Sequence, residues 1–111
     1  MEVKADTYRV WSERSTVFFD GTMRLSGPDA YAPVYSLASG LIASENSVVL
    51  DLTNLVFLNS SGINLLAKLT IEARNKPDGA LAVKGSSSIP WQSKSLPNLK
   101  KLYPALTLTL A

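Results

Sequence analysis

The chain has 111 residues, 46% of them hydrophobic and 18% charged, a formal net charge of +2, and neither cysteine nor histidine. That is material for one core, and a fold of this size buries roughly 65% of the surface its unfolded chain exposes, so it needs no disulfide staple. The missing residue types exclude thiolate and imidazole metal sites, a cysteine nucleophile and every histidine-based triad, and so small a net charge excludes a dedicated nucleic-acid binder.

Taken in chain order, Tyr8 to Ser12 and Thr16 to Gly21 are aromatic and β-branched stretches around the polar Ser12-Glu13-Arg14-Ser15, which predicts an antiparallel hairpin. Ser26-Gly27-Pro28-Asp29 then offers a cap-like serine followed three residues later by an acid, and Ala30, Val34, Leu37 and Leu41 repeat at helical spacing. Pro33 leaves two readings: a helix that starts near Ala32 with the proline in its first turn, or one kinked at Pro33. Ser47 to Leu52 carries Val48, Val49, Leu50 and Leu52, a short apolar run that predicts a strand of the sheet interior. A loop with the apolar patch Leu55 to Leu58 follows, then Asn59-Ser60-Ser61-Gly62, then a helix with Leu65, Leu66, Leu69 and Ala73 on one face. Lys76-Pro77-Asp78-Gly79 stops that helix, and Ala80 to Lys84 is a further short strand. After the loop of Gly85 to Trp91, Leu96, Leu99 and Leu102 or Tyr103 signal a third helix ended by Pro104, and Thr107 to Leu110 alternates as an edge strand does. Strands alternating with helices in this order predict a parallel or mixed sheet with helices packed on it.

Charge is unevenly spread. Met1 to Ala67 holds four basic and seven acidic residues, a balance of −3, while Lys68 to Ala111 holds seven and two, a balance of +5. The second half either presents a basic face or scatters Lys68, Arg74, Lys76, Lys84, Lys94, Lys100 and Lys101 over several elements as solvated residues. No apolar run approaches the ~18 residues a membrane span needs. Glu2, Lys4, Asp6 and Arg9 interrupt any signal-peptide apolar region, so the expectation is a soluble cytoplasmic protein.

The segment with most chemical content is Asn59-Ser60-Ser61-Gly62, where a strand region has ended and a helix begins. The first N–H groups of a helix lack intrahelical partners, and with the positive end of the helix dipole they favour an anion. Two adjacent hydroxyls there make a candidate phosphorylation site, since a phosphate of about −1.5 to −2 charge meets both the donors and the dipole. The plainer reading is that Asn59 or Ser60 is an N-cap and Gly62 allows close backbone approach.

Val49-Leu50-Asp51-Leu52, then Phe57-Leu58, then Asn59-Ser60-Ser61-Gly62-Ile63 and Leu65-Leu66 resembles the signature of STAS domains, the bacterial anti-sigma-factor antagonists and their relatives. The resemblance implies a single STAS-like α/β domain over residues 1–111, with a mixed sheet of about five strands and about three helices packed on it. It implies a phosphate acceptor at Ser60, with Ser61 the second choice, and a partner-binding surface that includes Asn59, Ser60, Ser61, Gly62, Asn64 and Arg24. The implied partners are an anti-sigma-factor-type serine kinase and a PP2C-type phosphatase, with no nucleic acid, membrane, metal or cofactor, and with homodimerisation left open. Binding and release of such a kinase would be set by the phosphate, so the chain is read as a substrate and switch rather than an enzyme.

Two positions depart from the family's usual spelling. Asn59 stands where an Asp is usual, and Gly21-Thr22-Met23-Arg24-Leu25 stands where Gly-Glu-Leu-Asp is usual. Those departures motivate a second reading, a non-phosphorylated STAS scaffold or an anion- or ligand-sensing module. The Asn-Ser-Ser spelling and Leu25-Ser26-Gly27 to Tyr31 also resemble bacterial regulatory phosphoproteins that control diguanylate cyclases. Trp91 is either an exposed anchor for a partner or a lid on one end of the core, whereas Trp11, on a hairpin strand, is expected to pack on its sheet neighbours. Gly85-Ser86-Ser87-Ser88 does not carry the Walker pattern, and Ser60 has no histidine to activate it as a nucleophile.

Overall fold

A computed structural model describes residues 2–111. Its strands are Glu2–Lys4 (β1), Tyr8–Glu13 (β2), Thr16–Met23 (β3), Ser47–Leu58 (β4), Ala80–Gly85 (β5) and Thr107–Leu110 (β6). Its helices are Gly27–Ser44 (α1), Ser60–Asn75 (α2), Pro90–Ser95 (α3) and Pro97–Leu102 (α4). The strands form one six-stranded sheet in sequence order. β1, β2 and β3 pair antiparallel, and β3 to β6 pair parallel. Each parallel crossover advances in the same direction across the sheet, and right-handed connections then place the helices on the same face. Accordingly α1 packs on α2 and α2 on α4.

The alternation of the strands follows from that one-sided cover. Val10, Val17, Phe19, Leu50, Leu81 and Val83 are buried beneath the helices. Their chain neighbours form a second row across the other face, running Glu2, Trp11, Phe18, Asp51, Lys84, Thr109 through consecutive ladders. Trp11 stacks on Phe18 there, centroids 5.0 Å apart, so it packs on a sheet neighbour as its strand position predicts.

Several elements differ from the sequence reading. The sheet has a sixth strand, β1, too short and too charged at Glu2-Val3-Lys4 to be read as one. The apolar patch Leu55 to Leu58 is the second half of β4 rather than a loop. β4 takes three steps from Asp51 to Asn54 while β3 takes two, and two steps from Leu55 to Phe57 while β3 takes one. These two bulges shift the buried series to Leu50, Leu52, Leu55 and Leu58, which breaks the period of two by which a strand is recognised. They also turn Val56 out, 61% exposed.

α1 begins at Gly27, earlier than the Ala32 start, and runs through Pro33, whose missing N–H leaves the Asp29 carbonyl without its usual donor. Ser26 occupies the N-cap position but makes no side-chain cap bond. Its buried face is Tyr31, Val34, Leu37, Ala38 and Ile42, so Ala30 lies outside the stripe assigned from spacing. The last helix is two short ones joined at Leu96, because Pro97 cannot donate to the preceding turn, and the first of them occupies Pro90 and Trp91, a stretch read as loop. The basic residues of the second half do not form one face. Lys76 Nζ donates to the carbonyls of Ile42, Ala43 and Glu45 at the end of α1, Arg74 to Leu102 O, and Lys100 to Leu106 O. Among the described residues, no helix is long and apolar enough to cross a membrane.

Candidate functional site

β4 ends at Leu58 and α2 begins at Ser60, so one residue turns the chain from strand to helix. That residue, Asn59, is extended and acts as the N-cap. Its Oδ1 accepts from the Gly62 N–H at 3.1 Å and from the Tyr31 hydroxyl at 2.7 Å. Its Nδ2 donates to the Leu25 carbonyl at 2.8 Å. Its own backbone N–H donates to Met23 O at 3.2 Å, and its carbonyl accepts from Ile63 N–H at 2.9 Å. Asn59 thus ties together the end of β3, the approach to α1, and the starts of α1 and α2. Burial pushes the pKa of the Tyr31 hydroxyl above its ordinary 10.0, which keeps it protonated as the donor this arrangement requires.

The amide is not interchangeable with a carboxylate at this position. A carboxylate accepts the Gly62 and Tyr31 bonds equally well but has no proton for the Leu25 carbonyl, and would set two acceptors against each other. Gly62 is buried where α2 meets β4 and α1. A Cβ there would run into the Leu58 side chain and lie 2.9 Å from the Tyr31 hydroxyl, so the close approach read from the sequence is a geometric requirement.

With Gly62 and Ile63 bonded to Asn59, the open donors of the helix start are the N–H groups of Ser60 and Ser61. The Ser60 side chain is exposed, whereas Ser61 is half-buried and faces α1. Asn64, one turn further on, is exposed on the same side as Ser61, and the two line a cavity between α1 and α2. Arg24, just past the end of β3, lays its guanidinium over the Phe57 ring, 4.6 Å from its centroid. Phe57 pairs with Thr22 and Leu58 with Met23, which places Arg24 beside the strand end that leads into Asn59. The six residues singled out from sequence therefore lie around one end of β4 and the start of α2. Sequence reasoning missed Tyr31 as the hydroxyl that fixes the cap, and Tyr35 and Lys68 as part of the cavity. Two tyrosines four residues apart on a predicted amphipathic helix were the available signal.

On the β5 side, the pairing with β4 stops at Asp51 and Lys84. Beyond it the wholly buried Gln92 donates from Nε2 to the carbonyls of Leu52 (2.6 Å) and Leu55 (3.0 Å) and accepts from Ser86 N–H (2.7 Å). Trp91 Nε1 also donates to Leu55 O at 3.0 Å, so this tryptophan is half-buried as a lid on the strand end. Among the described residues, no group of three or more Asp, Glu, His or Cys is set to hold a metal ion.

No family model matches the chain, and no curated protein does. Among solved structures it is similar to the crystal structure of an anti-sigma factor antagonist from Mycobacterium paratuberculosis, with a TM-score of 0.62 and 24% sequence identity. The match covers 95% of this chain and 90% of that one. The chain therefore has the α/β fold of a STAS domain, with one strand more than the five expected.

Proposed function

We propose that residues 1–111 form a single domain that acts as a bacterial regulator of the anti-sigma-factor-antagonist type, cytoplasmic and without catalytic activity of its own. Ser60 is its phosphate acceptor and Ser61 the second choice. A serine kinase of the anti-sigma-factor type binds the surface of Asn59, Ser60, Ser61, Asn64 and Arg24 shaped by Gly62, and a PP2C-type phosphatase resets it. The observation that carries this reading is an exposed serine at the first position of α2, beside open N–H donors, on a fold shared with an anti-sigma factor antagonist. A dianion at that position is favoured by the helix start in the free protein, but burying it against a partner costs desolvation, and each 1.4 kcal/mol lost is about tenfold in affinity. Incubation with a candidate serine kinase and ATP, followed by peptide mass spectrometry, tests it. Phosphate is expected on Ser60 and absent from Ser60→Ala; equal modification of both proteins at another residue overturns the assignment.

A non-phosphorylated scaffold is the second reading, favoured by the Asn59 amide bond to the Leu25 carbonyl, which uses a neutral side chain where the family usually has a charge. Ser60→Asp separates the two. A switch loses its partner by tenfold or more, whereas a scaffold binds it unchanged.

A further inference from the structure

The two long helices do not close on each other along their whole length. Between them lies a cavity of about 250 Å³. Each helix contributes residues at i, i+3, i+4 and i+7: Pro28, Tyr31, Ala32 and Tyr35 from α1, and Ser61, Asn64, Leu65 and Lys68 from α2. The small side chains Ala32 and Ser61 stand where larger ones would fill the gap. The volume is near the lower limit of small-molecule sites, roughly 300 Å³, so a benzoate-sized ligand fits and a dinucleotide does not.

The chemistry of the lining is one-sided. Lys68 is its only charged residue, and the single salt bridge among the described residues, Arg9 to Glu2, lies elsewhere. The expected partner of Lys68 at i+4 is Glu72, but Tyr35 and Ser39 of α1 both donate to the Glu72 carboxylate and hold it towards α1. The Lys68 ammonium is left 4.4 Å from the centroid of the Tyr35 ring, over its face. Both phenols are also committed, Tyr31 to Asn59 and Tyr35 to Glu72, so the tyrosines offer ring surface rather than hydroxyls. Pro28, Ala32 and Leu65 extend that apolar wall. The side chains of Ser61 and Asn64 make no hydrogen bond among the described residues and remain free to bind at the rim.

We propose that this cavity is a binding site for a small organic carboxylate, its anion on Lys68 with Ser61 and Asn64 beside it, and its flat or aliphatic body against Tyr31, Tyr35 and Leu65. One cation matches one negative charge, and the apolar walls call for a body that inorganic phosphate lacks. The proposal holds whether or not Ser60 is phosphorylated.

An NMR titration of the ¹⁵N-labelled full chain tests it, with sodium benzoate as probe, benzyl alcohol as its uncharged counterpart and inorganic phosphate at matched ionic strength. Benzoate is expected to shift the amides of Ala32, Ser61, Asn64 and Lys68 saturably, with a Kd on the order of 1 mM. Benzyl alcohol should bind at least tenfold more weakly, and phosphate should not saturate. Lys68→Met should abolish the preference for benzoate over the alcohol. Ala32→Leu, at an exposed helical position, should remove binding by filling the cavity with the fold intact. Scattered or non-saturating shifts with benzoate, equal binding of the alcohol, equal binding of phosphate, or wild-type affinity in Lys68→Met would each overturn the proposal.

Discussion

The far half of β4 is held from two sides by different means. On the β3 side the ladder continues to Met23 and Leu58, and the half-buried Asn59 locks the corner with one amide side chain and its own backbone. On the β5 side the ladder has already stopped, and a single buried glutamine, helped by Trp91, takes the place of a neighbouring strand. A backbone ladder distributes its bonds over many residues, so no one side chain carries it. A side chain standing in for a strand concentrates them. The β5 side should therefore be the more sensitive to one substitution, while the β3 side is the one that touches the candidate site.

Gln92→Leu is the strongest way to break that comparison. It removes two donors from buried carbonyls and the acceptor of the Ser86 N–H, so a loss of about 3 kcal/mol in guanidinium unfolding is expected. A loss below about 1 kcal/mol would show that Trp91 and the ladder suffice. Asn59→Asp comes next. Leaving the Leu25 carbonyl unpaired costs about 1–3 kcal/mol, and a negative charge at the helix start returns about 0.3–1, so a net loss of about 1 kcal/mol is expected in the same assay. Tyr31→Phe leaves the Gly62 bond to Asn59 intact and should cost about 0.5–1 kcal/mol.

The smallest effect concerns pH and the seam between α1 and α2. Burial raises the pKa of Glu72 above its ordinary 4.5. The folded state then binds that proton more tightly than the unfolded state, so the stability Glu72 contributes is fully present below pH 4.5 and declines as pH rises through the raised value. Denaturation of wild type and Glu72→Gln across this range should show the wild type losing ground to the variant with increasing pH. An opposite slope would mean that the Tyr35 and Ser39 bonds outweigh burial.

The sequence was most legible where local and long-range demands agree. α2 has an amide N-cap, a continuous stripe of Leu65, Leu66, Leu69 and Ala73, and a Pro-Asp-Gly stop, and the structure keeps all three. The hairpin was equally readable from its aromatic and β-branched stretches, and the edge strand at Thr107 to Leu110 from alternation. Legibility failed where an irregularity resets a period. The two bulges made half of β4 read as loop, and Pro97 split a helix whose leucines keep helical spacing across the break. Of the candidate site, the contiguous run from Asn59 to Gly62 could be found because its residues cap a helix locally. The hydrogen bonds of Tyr31, Tyr35 and Gln92 could not be read, because their partners lie 28, 37 and 40 residues away and are reached only once the chain has folded.

The corner at Asn59 has a further consequence. A single residue joins strand to helix, and three side-chain hydrogen bonds pin it, so there is no slack between the sheet and the first turn of α2. Here the position of Ser60 is set from the sheet through the bonds of Asn59. Under the proposed phosphorylation of Ser60, a partner at this end would meet the same backbone landmark in both forms and would tell them apart by the attached charge, as a lock with a fixed keyway discriminates by the cut of the key.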